Sequence, residues 1–271
     1  MTPSPAFTIL LPINRPPDLV PYAVQSILDQ SRQDFELFII CDGAAAATVE
    51  ATRRFEAEDL RIRTFVRPKG ARHGEAYRHE ALQEAQGRIV CQIGDDDLWF
   101  PDHLAEVEAL MATADFGNTL PLYLDENGIP RLHFGDLSDP AVQRRMSTTE
   151  DFNLFGPTPS AYRLETYRAL PVGWSAAPEG IWTDLWMWRK FLALPGVRLR
   201  TRFIATTLTF PASLRPDWTL ERRREEIRAA AATIGSQDVR EGLWRNALED
   251  AQGAAKEAQS AAEEPQRELT V

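Results

Sequence analysis

Asp95, Asp96 and Asp97 stand in a row, directly after the apolar run Ile89-Val90-Cys91-Gln92-Ile93 and Gly94, and shortly before Pro101 opens a helical pattern. Adjacent carboxylates repel and raise one another's pKa unless a cation sits among them. At the carboxyl end of a strand in an α/β sheet, the expected cation is a bound divalent ion. A solvated acidic turn leading into the next helix is the alternative reading. Three other apolar runs end in polar loops: Pro12-Ile13-Asn14-Arg15, Asp42-Gly43, and Arg67-Pro68-Lys69-Gly70 followed by Arg72 and His73. Ligands of open parallel sheets bind beyond such strand ends. A crevice holding both carboxylates and cations suits a metal-bound nucleotide, with the acids on the cation and the bases on the phosphates. No G-x-G-x-x-G follows the first run and no Walker sequence occurs, so the dinucleotide and P-loop readings fall away.

These loops are useful only if the runs between them form a parallel sheet. Strands are expected at Phe7–Leu11, Phe35–Cys41, Ile62–Val66 and Arg88–Ile93. Helices are expected at Leu19–Leu28, Thr48–Phe55 and Gly74–Ala85. Alternation of this kind implies crossover helices over a sheet covered on both faces. Later come a helix at Leu104–Met111 and a hairpin through Asn127-Gly128, joining Leu122–Leu124 to Ile129–Phe134. Residues 135 to 158 read as loops and short helices. A strand at Ser160–Tyr162 and a short helix at Leu164–Leu170 follow. Thr183 is placed to cap a helix running to Leu194, and Arg198–Phe210 reads as a late strand or strand pair. From about Thr219 mixed charges at short spacing predict helices with solvated faces. The expected division is 1–215 for the α/β domain and 216–271 for a helical extension.

With 271 residues, 44% of them hydrophobic, the chain can bury a sizeable core. A net charge of -10 argues against a general nucleic-acid partner. Cys41 and Cys91 follow no disulfide or zinc spacing and read as small buried residues in a reducing compartment. The first residues lack a signal-peptide pattern, and no apolar run approaches a membrane span. A cytoplasmic protein is expected, with peripheral attachment to the inner face of the membrane left open.

The INRP loop, FELFIICDG and KGARHGEAYRHEALQEAQGRIVCQIGDDDLWFPDHL together resemble family-2 glycosyltransferases of the GT-A fold. The resemblance is specific from Phe7 to about Leu110, weaker to about Leu214, and absent beyond. It implies a Rossmann-like, mixed nucleotide-binding sheet with helices on both faces, here with a C-terminal helical tail. It also implies transfer of a sugar, with inversion, from a nucleoside-diphosphate sugar to an acceptor hydroxyl, assisted by Mn²⁺ or Mg²⁺. A UDP-sugar is favoured as donor; the acceptor is a saccharide, a lipid-linked molecule or another hydroxyl compound.

Carried onto this chain, the family's roles make Asp42 the carboxylate that reads the base and Asp96 a metal ligand. Asp95 meets the ribose or the metal. The family's acidic triplet starts with Asp one position earlier, where this chain has Gly94, so which of Asp95 and Asp96 binds directly stays open. Pro12, Asn14, Arg15, Arg67, His73 and Arg78 complete the donor set. The family's Arg-Asn in the third helix is Arg78-His79 here, and His79 receives no role. The general base of an inverting transfer falls on Asp184, in Thr183-Asp184 where the family often has Glu-Asp. Trp182 is expected on the acceptor side, and the loop from Phe210 to Trp218, with Arg215, as a lid. The rival readings are a nucleotidyltransferase, or a non-catalytic sugar-nucleotide binder or assembly protein. The tail is also a candidate for homo-oligomer formation.

Overall fold

The computed structural model describes the backbone of residues 4–268 and the side chains of residues 4–253. The chain runs β1 (Phe7–Ile13), α1 (Val20–Leu28), β2 (Phe35–Asp42), α2 (Ala46–Glu58), β3 (Ile62–Arg67), α3 (Glu75–Gln83) and β4 (Ile89–Gln92). Next come β5 (Leu98–Trp99), α4 (His103–Met111), β6 (Phe116–Leu124), β7 (Pro130–Leu132), α5 (Pro140–Thr148), β8 (Ser160–Arg163) and α6 (Leu164–Arg168). The chain then continues through α7 (Thr183–Leu192), β9 (Leu199–Thr209), α8 (Leu220–Ala231) and α9 (Gln237–Glu268).

One mixed sheet has the order β3-β2-β1-β4-β8-β6-β9-β5, with β7 paired to β6. The strands β3, β2, β1 and β4 are parallel, in register Phe7↔Phe35 and Phe7↔Ile89. Strand β8 joins β4 antiparallel, which reverses the direction where the parallel half ends. Side chains alternate across the sheet as the pleat requires. Phe7, Ile9, Leu11 and Ile13 pack toward α1 and α4, while Leu10, Phe38 and Ile40 pack toward α3 and α7. Both faces are therefore dry, and the polar groups at the strand ends collect along one rim.

The structure adds a strand that the sequence does not show: β5 pairs antiparallel with β9 through Leu98↔Leu208. Two residues are too few to show a period. Thr183 does not cap α7: Trp182 occupies the N-cap without a side-chain bond, and Thr183 Oγ1 donates instead to Glu75 Oε1 at 2.8 Å. The faces of the last helices are not uniformly solvated. Arg223 and Ile227, one turn apart on α8, are buried, as is Ala247 of α9. Ile227 joins Leu19, Leu98, Leu120, Leu208 and Phe210 in a third apolar cluster. The apolar side of β5, β6 and β9 needs a cover, and these helices supply it.

Arg215 fastens that cover and does not face a cleft as a lid residue would. Its side chain is fully buried, donating to Glu226 at 2.7 Å and to the carbonyls of Leu124 and Asp125 at 3.1 and 3.0 Å. Breaking a buried ion pair from one side costs about 3 kcal/mol or more. Arg215→Met is expected to lose about that much, read as a lower urea midpoint at unchanged slope.

Candidate functional site

A cleft of about 290 Å³ opens at the carboxyl ends of β1, β2 and β4. Pro12, Asn14, Arg15, Asp42, His73, Arg78, Asp95 and Asp96 all line it, beside Gln92, Gly94, Asp97 and Pro157. Every expected donor or metal residue except Arg67 is therefore brought together. Arg67 lies outside, donating to Glu80 at 2.9 Å on the surface.

The acidic trio divides into two functions. Asp97 turns inward: Oδ1 accepts from Phe210 N at 3.2 Å, and Oδ2 from Thr158 Oγ1, which itself accepts from Gly94 N. A Cβ at position 94 would meet Asp97 Oδ2 at 2.7 Å, which explains why the usual acid cannot stand there without displacing Asp97. Asp95 and Asp96 face the cleft. Arg15 grips both, with Nη2 2.6 Å from Asp95 Oδ1 and 2.7 Å from Asp96 Oδ1, and Nη1 2.8 Å from Asp96 Oδ2. Arg223 of α8 adds a further bond to Asp96 Oδ2. Burial, opposed by Arg15 and abetted by Asp96, pushes Asp95 up to about 6. Burial and the Asp96 charge push Asp97 up to about 7.

Asp95 Oδ2 is buried without a partner. Among the described residues no cluster of three or more His, Cys, Asp or Glu side chains is arranged for chelation. Two hard carboxylates with an unsatisfied oxygen still fit Mg²⁺ or Mn²⁺, because such ions are commonly held by one or two carboxylates completed by substrate phosphates and water.

Asp42 closes the far end of the cleft. Its Oδ1 accepts from Gly70 N at 2.6 Å and its Oδ2 from Lys69, so it also organises the loop after β3. Gly74, at φ +67, brings that loop so close that a Cβ would stand 2.6 Å from Asp42 Cγ. Between these ends lies Arg78. It is buried, stacks over Trp174 at 4.9 Å, and has Nε and Nη1 without acceptors. Burial lowers its pKa, opposed first by Glu75 and also by Asp42 and Asp184. A buried guanidinium with unspent donors is a ready anion site.

Glu75, fully buried, ties the loop to α7. Its Oε2 accepts from His73 N at 3.0 Å and its Oε1 from Thr183 Oγ1. The next residue is Asp184, whose Oδ2 accepts from Asn153 Nδ2 at 2.9 Å and whose Oδ1 accepts from Leu185 N. Burial pushes the Asp184 carboxyl up to about 6, against these bonds and the Arg78 charge. A Cβ on Gly156 would lie 3.9 Å from Asp184 Oδ2. Gly156 also lines a second cleft of about 490 Å³, which shares Arg15, Asp96, Asp97 and Pro157 with the first. Trp182 lines neither cleft; it is half exposed at the start of α7. Sequence reasoning missed Arg223, Glu75, Asn153 and Thr158. Only Arg223 left a signal, as an arginine four residues before Ile227 on the apolar face of α8.

Comparison with known proteins bears on the same region. The model of the family described as "Glycosyl transferase family 2" matches residues 8–161. A protein of Bacillus subtilis (strain 168) named "Putative teichuronic acid biosynthesis glycosyltransferase TuaG" is 31% identical over 100 residues. An uncharacterised glycosyltransferase of Haemophilus influenzae is 28% identical over 100 residues. The match spans 37% of this chain in each case, and only 39% and 40% of those relatives. Among solved structures, S. aureus TarS 1-349 with UDP-GlcNAc superposes with a TM-score of 0.57 at 15% identity, covering 84% of this chain and 66% of that one. The mannosyltransferase PcManGT of Pyrobaculum calidifontis, with GDP-Man and Mn²⁺, gives 0.54 at 18% identity, covering 96% and 81%. These likenesses establish the fold as GT-A, as the resemblance implied.

Arg78 yields the test of this cleft as an anion site. Charge-assisted bonds are worth about 1.5–3 kcal/mol. Arg78→Met is expected to weaken binding of a nucleoside diphosphate at least about tenfold by isothermal titration.

Proposed function

The chain belongs to glycosyl transferase family 2, and from that premise we propose that it moves a sugar, with inversion, from a nucleoside-diphosphate sugar to an acceptor hydroxyl. A UDP-sugar is the donor of first choice. The observation that carries this reading is the shared wall between two clefts: Arg15, Asp96, Asp97 and Pro157 line both, and Gly156 of the second stands beside Asp184, whose own side chain lines neither.

In this reading the first cleft takes the donor. Asp42 meets a base N–H with the lone pairs left on its oxygens. Arg78 and His73 face the diphosphate, while Pro12 and Asn14 line the nucleoside side. A divalent ion, Mn²⁺ or Mg²⁺, held by Asp96 and Asp95, would offset the negative charge that develops on the leaving diphosphate. The acceptor enters through the second cleft, along Tyr123, His133 and Phe210. Trp182, half exposed and two residues before Asp184, gives an outer face for acceptor stacking. Asp184 takes the proton of the acceptor hydroxyl as that oxygen attacks the anomeric carbon. Asn153 and the Leu185 N–H hold the carboxylate in orientation. A base raised to about 6 is ionised at neutral pH yet stronger than an ordinary carboxylate.

The pH dependence follows from that raised value. The base works only when ionised, so kcat/KM should fall as pH drops through about 6. Ionising a group whose folded pKa is raised costs stability. The cost is absent below the ordinary carboxylate pKa, grows as pH rises from there to about 6, and keeps its full value above that. Asp184→Asn is therefore expected to lower kcat by about 100-fold or more with donor affinity intact, while losing none of its melting temperature at pH 8. Turnover close to wild type in this variant would remove Asp184 as the base. A thermal-shift panel of nucleoside diphosphates with and without Mn²⁺, followed by NMR of the product's anomeric centre, tests donor, metal and inversion together. Donor binding without transfer or hydrolysis would favour the non-catalytic binder.

A further inference from the structure

Arg223 of α8, outside the residues matched by the family model, bonds to Asp96 at the edge of the cleft. We propose that Arg223 is an exchangeable counter-ion: it holds Asp96 in the donor-free protein and passes to the donor's diphosphate when a divalent ion takes that carboxylate. This rests on the metal-assisted donor site proposed above.

Four observations lead there. Asp96 has both oxygens engaged, by Arg15 on each and by Arg223 on Oδ2. Of the oxygens of Asp95, Asp96 and Asp97, only Asp95 Oδ2 is buried without a partner, so a cation that uses Asp96 must compete with a guanidinium. Arg223 itself is not fully satisfied. It is 9% exposed, its Nε is buried without an acceptor, and its remaining contact is a 3.3 Å bond to Phe210 O. Finally, the backbone beneath it is fixed. Thr219 caps α8 by accepting from Arg222 N, Ile227 is in the core, and Glu226 is held by Arg215. Re-aiming is thereby confined to the Arg223 side chain.

The energetics give the two ligands opposite relations to this residue. A carboxylate bound to a metal is a poorer acceptor, and a buried guanidinium left unpaired is costly. Metal alone must bear that cost. Metal with a diphosphate does not, because phosphate oxygens replace the carboxylate as acceptors. Arg223 thus couples the two binding events, and the coupling acts equally on both affinities. A brace that merely holds α8 in place would give no such opposition.

The test uses the full chain, with Mn²⁺ alone and UDP at saturating Mn²⁺ as probes, read by electron paramagnetic resonance of free Mn²⁺ and by calorimetry. Arg223→Gln is expected to bind Mn²⁺ alone about tenfold tighter and UDP about tenfold weaker. Arg223→Lys should lie between it and wild type in both. Arg224→Gln, which removes an exposed partner of Glu221, should match wild type. Affinities that do not move, or that fall together with the melting temperature in both Arg223 variants, overturn the exchange and leave a brace. Asp96→Asn separates the two levels. If it abolishes Mn²⁺ binding while Arg223→Gln leaves it unchanged, only the exchange fails. If wild type and Asp96→Asn treat Mn²⁺ alike, the metal reading fails and the exchange fails with it.

Discussion

Three adjacent carboxylates at the end of β4 are tolerable in a folded protein only because something positive or hydrogen-bonding reaches each of them. Asp97 is absorbed into the scaffold by Thr158 and the Phe210 N–H, and Arg15 and Arg223 come from opposite ends of the chain to Asp95 and Asp96. That electrostatic knot fixes where β1, β4, β9 and α8 meet. It also leaves one carboxylate oxygen unpaired at the floor of a cleft. In the proposed reading, the same knot that lets the turn fold trades an arginine for a metal and a diphosphate.

A second linkage joins the rim of the first cleft to α7. Glu75 accepts from the loop after β3 and from Thr183, the residue before Asp184, and Arg72 donates to Ile181 O at 3.1 Å in the same seam. The loop that frames the proposed donor cleft is therefore bonded to the helix that carries the proposed base. Preorganisation of this kind holds reacting groups in place before substrate arrives. The proposed base Asp184 is part of it, since Asn153 and the backbone hold its carboxylate while burial raises its pKa.

Much of this was legible in the sequence. The parallel strands show as short apolar runs with helical spacing between them, and their polar ends carry Asn14, Arg15, Asp42, His73 and Asp95, which all line the cleft. What escaped has physical reasons. Strand β5 has two residues and no period. Arg67 reads like its neighbours Lys69 and Arg72, and only side-chain direction sends it to Glu80 on the surface. Thr183 has the type of an N-cap, yet a buried carboxylate from α3 claims its hydroxyl. The charges on α8 look solvated in a linear reading, because Arg223 and Asp96 are 127 residues apart and only the fold shows that they touch.

The proposed function requires that Asp95, Asp96 and Arg78 form one donor-diphosphate site. Anomalous diffraction at the manganese edge, from crystals grown with Mn²⁺ and UDP, addresses it most directly. The expected result is a single strong peak within coordination distance of Asp96, with the diphosphate spanning from that ion to the Arg78 guanidinium. A nucleotide seated elsewhere, or bound in the cleft with Asp95 and Asp96 still wholly paired to arginine and no manganese beside them, would contradict it.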